Sequence, residues 1–274
     1  MSPAILLIGA GRMGAALARG WIAEGRGPEI VVIEPHPDAA FARALKKAGG
    51  KLNPAAKLIA APKAVVLAVK PQMLEGVARE AARFVAARPV FISIAAGVAL
   101  KKLGTWLDDQ AENRRAAIVR AMPNLPAAIG AGATVAAAND RVTRAQKALA
   151  GALLSAAGAL EWLNDETPID AVTAVSGSGP AYVFLLVEAL SAAGVAAGLK
   201  PELAARLARA TVAGAGALLD AWPERDAATL RRDVTSPGGT TEAALKVLMA
   251  GNGLQPLMTK AVKAAKARAH VLVR

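Results

Sequence analysis

The chain has 274 residues, is 54% hydrophobic, carries a formal charge of +12 at pH 7, and has no cysteine and only two histidines. Disulfides, thiolate nucleophiles and cysteine-based zinc sites are excluded, and His36 and His270 stand too far apart in sequence to form a ligand pattern, so no metal is expected. The hydrophobic content is too high for disorder; the cations are scattered without interleaved aromatics, so they suit small anionic ligands and not a nucleic acid.

Taken in chain order, short apolar runs alternate with helical stretches through the first 163 residues. Strands are expected at 4–8, 30–33, 65–69, 90–94, 118–121, 134–137 and 160–163, with helices such as 13–24 and 38–48 between them. Most of these runs are continuously apolar, as in strands covered on both faces. The alternation predicts a doubly wound α/β domain with a mostly parallel sheet over 1–163. After Asn164-Asp165-Glu166-Thr167-Pro168 no strand is expected. Ala- and Leu-rich stretches, broken at 177–180, 198–201, 222–225 and 236–239, predict an all-helical second domain over 164–274. Two segments imitate other things. The N-terminus lacks the basic residue that precedes a signal-peptide core, and Arg12 interrupts it. The apolar stretch 181–199 has membrane length but carries Glu188, and reads as a helix buried in an interface. A cytoplasmic location, with no membrane partner, fits both readings and the absence of cysteine.

The first strand-like run ends at Ile8 and enters Gly9-Ala10-Gly11-Arg12-Met13-Gly14, followed by a helix and a second strand. In that setting the three glycines make a dinucleotide fingerprint. Gly9 allows the tight turn, Gly11 lets a pyrophosphate approach the backbone, and Gly14 lets the helix lie close to the sheet. The helix start then faces the phosphates with free amides. Glu34 follows 20 residues after Gly14, where an acidic side chain accepts from ribose hydroxyls and favours NAD; His36 and Arg43 stand near enough to offset a 2′-phosphate. Three more segments lie at expected strand ends and are candidate cofactor loops: Ala68-Val69-Lys70-Pro71, the run Ala95-Ala96-Gly97, and Met122-Pro123-Asn124.

Two motifs of the second domain complete the pattern. They are Ala174-Val175-Ser176-Gly177-Ser178-Gly179-Pro180-Ala181-Tyr182 and Asp233-Val234-Thr235-Ser236-Pro237-Gly238-Gly239-Thr240-Thr241. Together with the three loops, in this order and spacing, they resemble the pyrroline-5-carboxylate reductases across essentially the whole chain. The resemblance implies an N-terminal Rossmann domain and a helical C-terminal domain that binds substrate and interlocks with a partner copy. It also implies an obligate homodimer, often assembled into a decamer, and reduction of 1-pyrroline-5-carboxylate to L-proline with NADPH or NADH. It places Thr241 near the substrate ring nitrogen and pairs Lys70 with Glu224. Where that family usually reads Asn-Thr-Pro, this chain has Asn124-Leu125-Pro126, so no threonine hydroxyl is available there.

The residues support the second motif independently. Pro237 cannot continue a helix, and Gly238 and Gly239 allow the backbone to turn its amides inward. Thr240 and Thr241 open the next helix, whose positive end favours an anion such as a small carboxylate. Val234, Ser236, Gly238, Gly239, Thr240, Thr241 and Ser176 are therefore substrate-site candidates, with Thr241 and Ser236 offering hydroxyls to the reacting group. Serine and threonine at such a point also serve as helix caps, and a capping role is expected alongside. The serines at 176 and 178 lack the histidine a nucleophile elbow requires, and read as a helix start. A cyclic iminium carbon is already electrophilic, so the expected mechanism is placement of substrate against the nicotinamide. The alternative is another Rossmann imine reductase or a β-hydroxyacid dehydrogenase-like enzyme; the latter typically carries a catalytic lysine on a helix of the second domain.

Overall fold

The computed structural model describes residues 4–56, 59, 61–109 and 112–272. Eight strands form one sheet in the order β3-β2-β1-β4-β5-β6-β7-β8. They are β1 (Ile5–Ile8), β2 (Ile30–Ile33), β3 (Lys51–Leu52), β4 (Ala64–Leu67), β5 (Val90–Ser93), β6 (Ala117–Met122), β7 (Gly132–Ala138) and β8 (Gly158–Trp162). β1 to β6 run parallel; β7 pairs antiparallel with β6, and β8 runs parallel to β7. The mostly parallel sheet follows from the apolar runs, whereas the two-residue β3 is too short to announce itself by periodicity.

Alternation along each strand sends side chains to two separate cores. Ile5, Leu7, Ile30, Val32, Val66 and Ile92 face α1 (Arg12–Ala23), α2 (Ala39–Lys47) and α5 (Arg144–Ser155). Leu6, Val31, Val65, Leu67, Phe91 and Ile118 face α3 (Pro71–Ala81) and α4 (Leu100–Leu107). Trp21 of α1 is fully buried, and its indole N–H donates to Leu153 O at 2.7 Å, which satisfies that polar atom inside the core.

By backbone packing the chain divides into two compact units. The first comprises the chain up to Gly177 together with the stretch from Ala265 onward; the second is Ser178–Ala264. The first unit therefore extends past Leu163, where the sequence placed the boundary. The segment after Leu163 is held by Glu166, which pairs with Arg120 of β6 at 2.7 Å and accepts the Leu100 amide at 3.0 Å through both carboxylate oxygens. It then forms α6 (Ile169–Val172), whose Asp170 lies 3.5 Å from His270 Nδ1, and a π-helical turn at Thr173–Gly177.

Among its described residues the second unit has helices joined by loops and no strand: α7 (Gly179–Ala196), α8 (Pro201–Ala221), α9 (Ala227–Asp233), α10 (Thr240–Leu248) and the larger part of α11 (Leu254–Leu272). Pro180 and Pro201 sit in the first turns of α7 and α8, where a missing N–H costs nothing. The helical stretch Ile169–Ala196 is long and apolar enough to cross a membrane by length and composition, and none of its most apolar window is buried within the single chain.

Candidate active site

Within the first unit, the parallel strands deliver their C-terminal loops to one edge of the sheet. β1 lies between β2 and β4, so the chain order reverses beside it, and the crevice that such sheets use for ligands opens there. Gly9 has φ 94° and its N–H donates to Ile33 O at 2.8 Å; an added Cβ would lie 2.7 Å from Ala68 O. A Cβ on Gly14 would lie 2.2 Å from Gly9 O. These two glycines are thus dictated by the closeness of strand end and helix. Gly11 is different: it is exposed, with open space where its Cβ would stand. That is the room a pyrophosphate needs to reach the backbone at the start of α1, and a dinucleotide fits this loop.

The carboxylate of Glu34, just after β2, reaches into the same loop. Its Oε2 accepts from Ala10 N at 2.8 Å and its Oε1 from His36 N at 3.0 Å. Two of the four acceptor positions of the carboxylate are used in this way, leaving two for hydroxyl donors. A cavity of about 560 Å³ adjoins the loop, lined by Gly11, Arg12, Arg19, His36 and Phe41 among others. Arg19 lies 3.7 Å from Asp38. Arg43, the second cation considered beside Glu34, is exposed on α2.

The remaining cofactor candidates share this edge. Ala68 and Val69 are half-buried past β4, while Lys70 and Pro71 are exposed where α3 starts, with Lys70 as its N-cap residue. Past β5, Ala95 is buried, Ala96 is exposed, and Gly97 has φ 80°. Ile8 and Met13 are half-buried on either side of the glycine loop. Met122 is half-buried at the end of β6 and Pro123 is buried. Asn124 proves to have a bracing role that the sequence did not disclose. Its Nδ2 donates to Ser176 O at 3.1 Å and its Oδ1 accepts from Ala133 N at 2.8 Å, which ties the π-helical turn to the start of β7. Ser176 lies in that turn and its hydroxyl donates to Val172 O at 3.1 Å.

Within the second unit, the loop from α9 to α10 corrects one expectation. Neither Thr240 nor Thr241 caps α10: the N-cap is Gly239, with no side-chain cap, and both threonines lie in the first helical turn. The helix starts one residue earlier than a capping role requires. The amides of the two glycines are also engaged, since Gly238 N donates to Glu242 Oε2 at 2.6 Å and Gly239 N to Ser236 O at 3.0 Å. Gly238 has φ 72°, the conformation that lets the chain turn here. Thr235, by contrast, turns its hydroxyl back onto Arg231 O at 2.6 Å. The first-turn amides at Thr240 and Thr241 have no acceptor within their own helix. Thr241 is half-buried, while Ser236, Thr240 and Val234 are exposed.

Residues 166–272 match the family model for pyrroline-5-carboxylate reductase dimerisation, and residues 4–97 match that for coenzyme F420-dependent NADP oxidoreductases. A pyrroline-5-carboxylate reductase of Pseudomonas aeruginosa is 42% identical over 272 residues, covering 99% of this chain and 97% of that protein. This chain belongs to the pyrroline-5-carboxylate reductase family. The structure of a pyrroline-5-carboxylate reductase from Coxiella burnetii superposes with a TM-score of 0.89 at 39% identity, covering all of both chains. The pyrroline carboxylate reductase of Plasmodium falciparum with NADP bound gives a TM-score of 0.79 at 26% identity, covering 98% of each chain. The chain is accordingly an NAD(P)H-dependent reductase of proline biosynthesis that self-associates through its dimerisation region.

Sequence reasoning missed two groups. Glu166, with buried Arg120, supplies the side-chain acceptor that α4 lacks at its own N-cap, Ala99. Asn53 holds Glu34 from behind. Only chain folding brings these partners together, although an asparagine before Pro54 is a turn signal that could have drawn notice.

Proposed function

We propose that this chain reduces 1-pyrroline-5-carboxylate to L-proline with the nicotinamide cofactor held by the glycine-loop edge and the substrate held by residues 236–241. The observation that carries this reading is the pair of threonines in the first turn of α10. Their hydroxyls have no capping duty, and they stand at a positive helix end whose first-turn amides have no acceptor within the helix. The substrate carboxylate is taken by the Thr240 and Thr241 amides, with the Ser236 hydroxyl as a further donor. Gly238, Gly239 and Val234 shape the turn, and Ser176 lines the approach from the π-helical turn. The Thr241 hydroxyl accepts from the protonated ring nitrogen, or donates to the neutral one, and so orients the C=N bond. The bound nicotinamide supplies a hydride to the C=N carbon, and the nitrogen ends with the proton. Lys70 supplies positive charge at the sheet edge. Few groups with chemistry of their own are needed, because the iminium is already electrophilic and orientation supplies most of the gain.

In this reading the apolar face of α7 is covered by a second copy, not by lipid. The copies interlock as a homodimer, five of which form the decamer implied by the family, and the protein is cytoplasmic. The test is turnover of pyrroline-5-carboxylate by the purified protein, followed by loss of nicotinamide absorbance with NADH and with NADPH. Thr241→Val is expected to lower kcat/KM about 10- to 100-fold, as for one hydrogen bond to a charged group. Unchanged kcat and KM would make Thr241 an ordinary helix residue. No turnover with either cofactor would overturn the whole reading.

A further inference from the structure

Asn53 lies just past β3 in the left-handed region, with φ 46°, and makes three hydrogen bonds, one to Val32 of β2 and two to Glu34 just after it. Its amide donates to Val32 O, its Oδ1 accepts from Glu34 N, and its Nδ2 donates to Glu34 O, each at 2.8 Å. Strand pairing between β2 and β3 ends at Val32 and Leu52. The Asn53 side chain therefore imitates one further rung of the ladder, on the far side of Glu34 from the glycine loop. Glu34 is clasped at its backbone by Asn53 and at its carboxylate by the amides of Ala10 and His36.

We propose that Asn53 is a positioning residue for cofactor choice, holding Glu34 where its carboxylate accepts ribose hydroxyls and repels a 2′-phosphate. The inference rests on the reading of Glu34 as the ribose acceptor. The opposing influence is also present: Arg12, Arg19 and His36 line the adjoining cavity and would attract a phosphate, although Arg19 is drawn toward Asp38. With Glu34 fixed, its charge stands between that cluster and the ribose. With Glu34 released, the cations decide. With Glu34 fixed, as it is here, NADH is the cofactor this chain uses more efficiently.

Asn53→Gly removes the clasp and keeps the left-handed backbone without strain. The readout is the ratio of kcat/KM for NADH to that for NADPH, measured with KM for pyrroline-5-carboxylate. Asn53→Gly is expected to lower the ratio roughly 3- to 10-fold, on the scale of one or two solvent-facing hydrogen bonds, with the substrate KM unchanged. Glu34→Ser is expected to lower it further, and adding Asn53→Gly to Glu34→Ser is expected to change nothing more. Asn53→Ser, which keeps a short acceptor for Glu34 N, falls between wild type and Asn53→Gly. An unchanged ratio in Asn53→Gly, or equal losses with both cofactors, overturns the role of Asn53 while a shift in Glu34→Ser keeps the ribose reading. No shift in Glu34→Ser overturns both.

Discussion

The two compact units of this chain treat their apolar residues in opposite ways. Every one of the largest fully buried side chains, from Ile5 to Ile92 and including Trp21, Phe41 and Phe91, belongs to the first unit. In the second unit α7 and α10 bury no residue at all, and Phe184, Leu185 and Leu186 of α7 are 53%, 63% and 49% exposed. What the second unit does bury is small: Ala204 and Ala208 of α8, with a Cβ on Gly194 of α7 only 3.2 Å from that of Ala204. The first unit closes two cores around its sheet within one chain. The second packs its helices through alanine and glycine and leaves its large side chains for another surface. An exposed apolar patch of this kind marks an interface, in accord with the dimerisation family that the same residues match. Stability of the first unit should therefore be a property of one chain, and that of the second a property of concentration.

The largest expected effect breaks the first unit alone. Trp21→Ala opens a cavity beside α5 and leaves Leu153 O without its donor, and should cost about 3–5 kcal/mol in urea denaturation. The loss should be the same at every protein concentration; a loss that grows on dilution would merge the two regions. Next comes Phe184→Asp, which places a charge on the open face of α7. It should weaken association by about 2 kcal/mol or more and shift sedimentation toward the monomer, while the urea transition of the first unit stays in place. The smallest effect is a local one within the second unit. Asp226 is the N-cap of α9, and hydrogen bonds from the backbone and side chain of Thr229 hold its carboxyl below the ordinary range. Because the folded value is depressed, the capping contribution is full above the unfolded pKa and is lost as pH falls through the folded one. The protection of the Thr229 and Leu230 amides against exchange, relative to the unstructured rate at the same pH, should fall below about pH 4. In Asp226→Asn that acid step should vanish.

The contrast also explains what could be read from sequence. Strands such as 30–33 and 64–67 are covered on both faces, so an unbroken apolar run was signal enough. The helix breaks at Pro201 and at 236–239 were equally legible, because proline and glycine act locally. Less accessible were features made by distant partners: the Glu166 cap on α4 spans 66 residues, and the Trp21–Leu153 bond spans 132. The start of α10 shows the same limit at short range. Thr240 and Thr241 have the composition of caps, but the turn at Gly238 makes Gly239 the N-cap and carries both hydroxyls past the capping position. The candidate cofactor loops could be nominated because parallel strands put their C-terminal ends on one edge. The roles of Asn124 and Asn53 were not, since an asparagine that braces and one that binds look alike until their partners are known.

The second unit, with residues 236–241, is expected to work only when another copy covers it. Specific activity toward pyrroline-5-carboxylate, measured across a dilution series alongside sedimentation, tests this most directly. The account predicts that activity per chain falls in step with the dimer fraction while the first unit stays folded. Full specific activity in a monomeric population would contradict it.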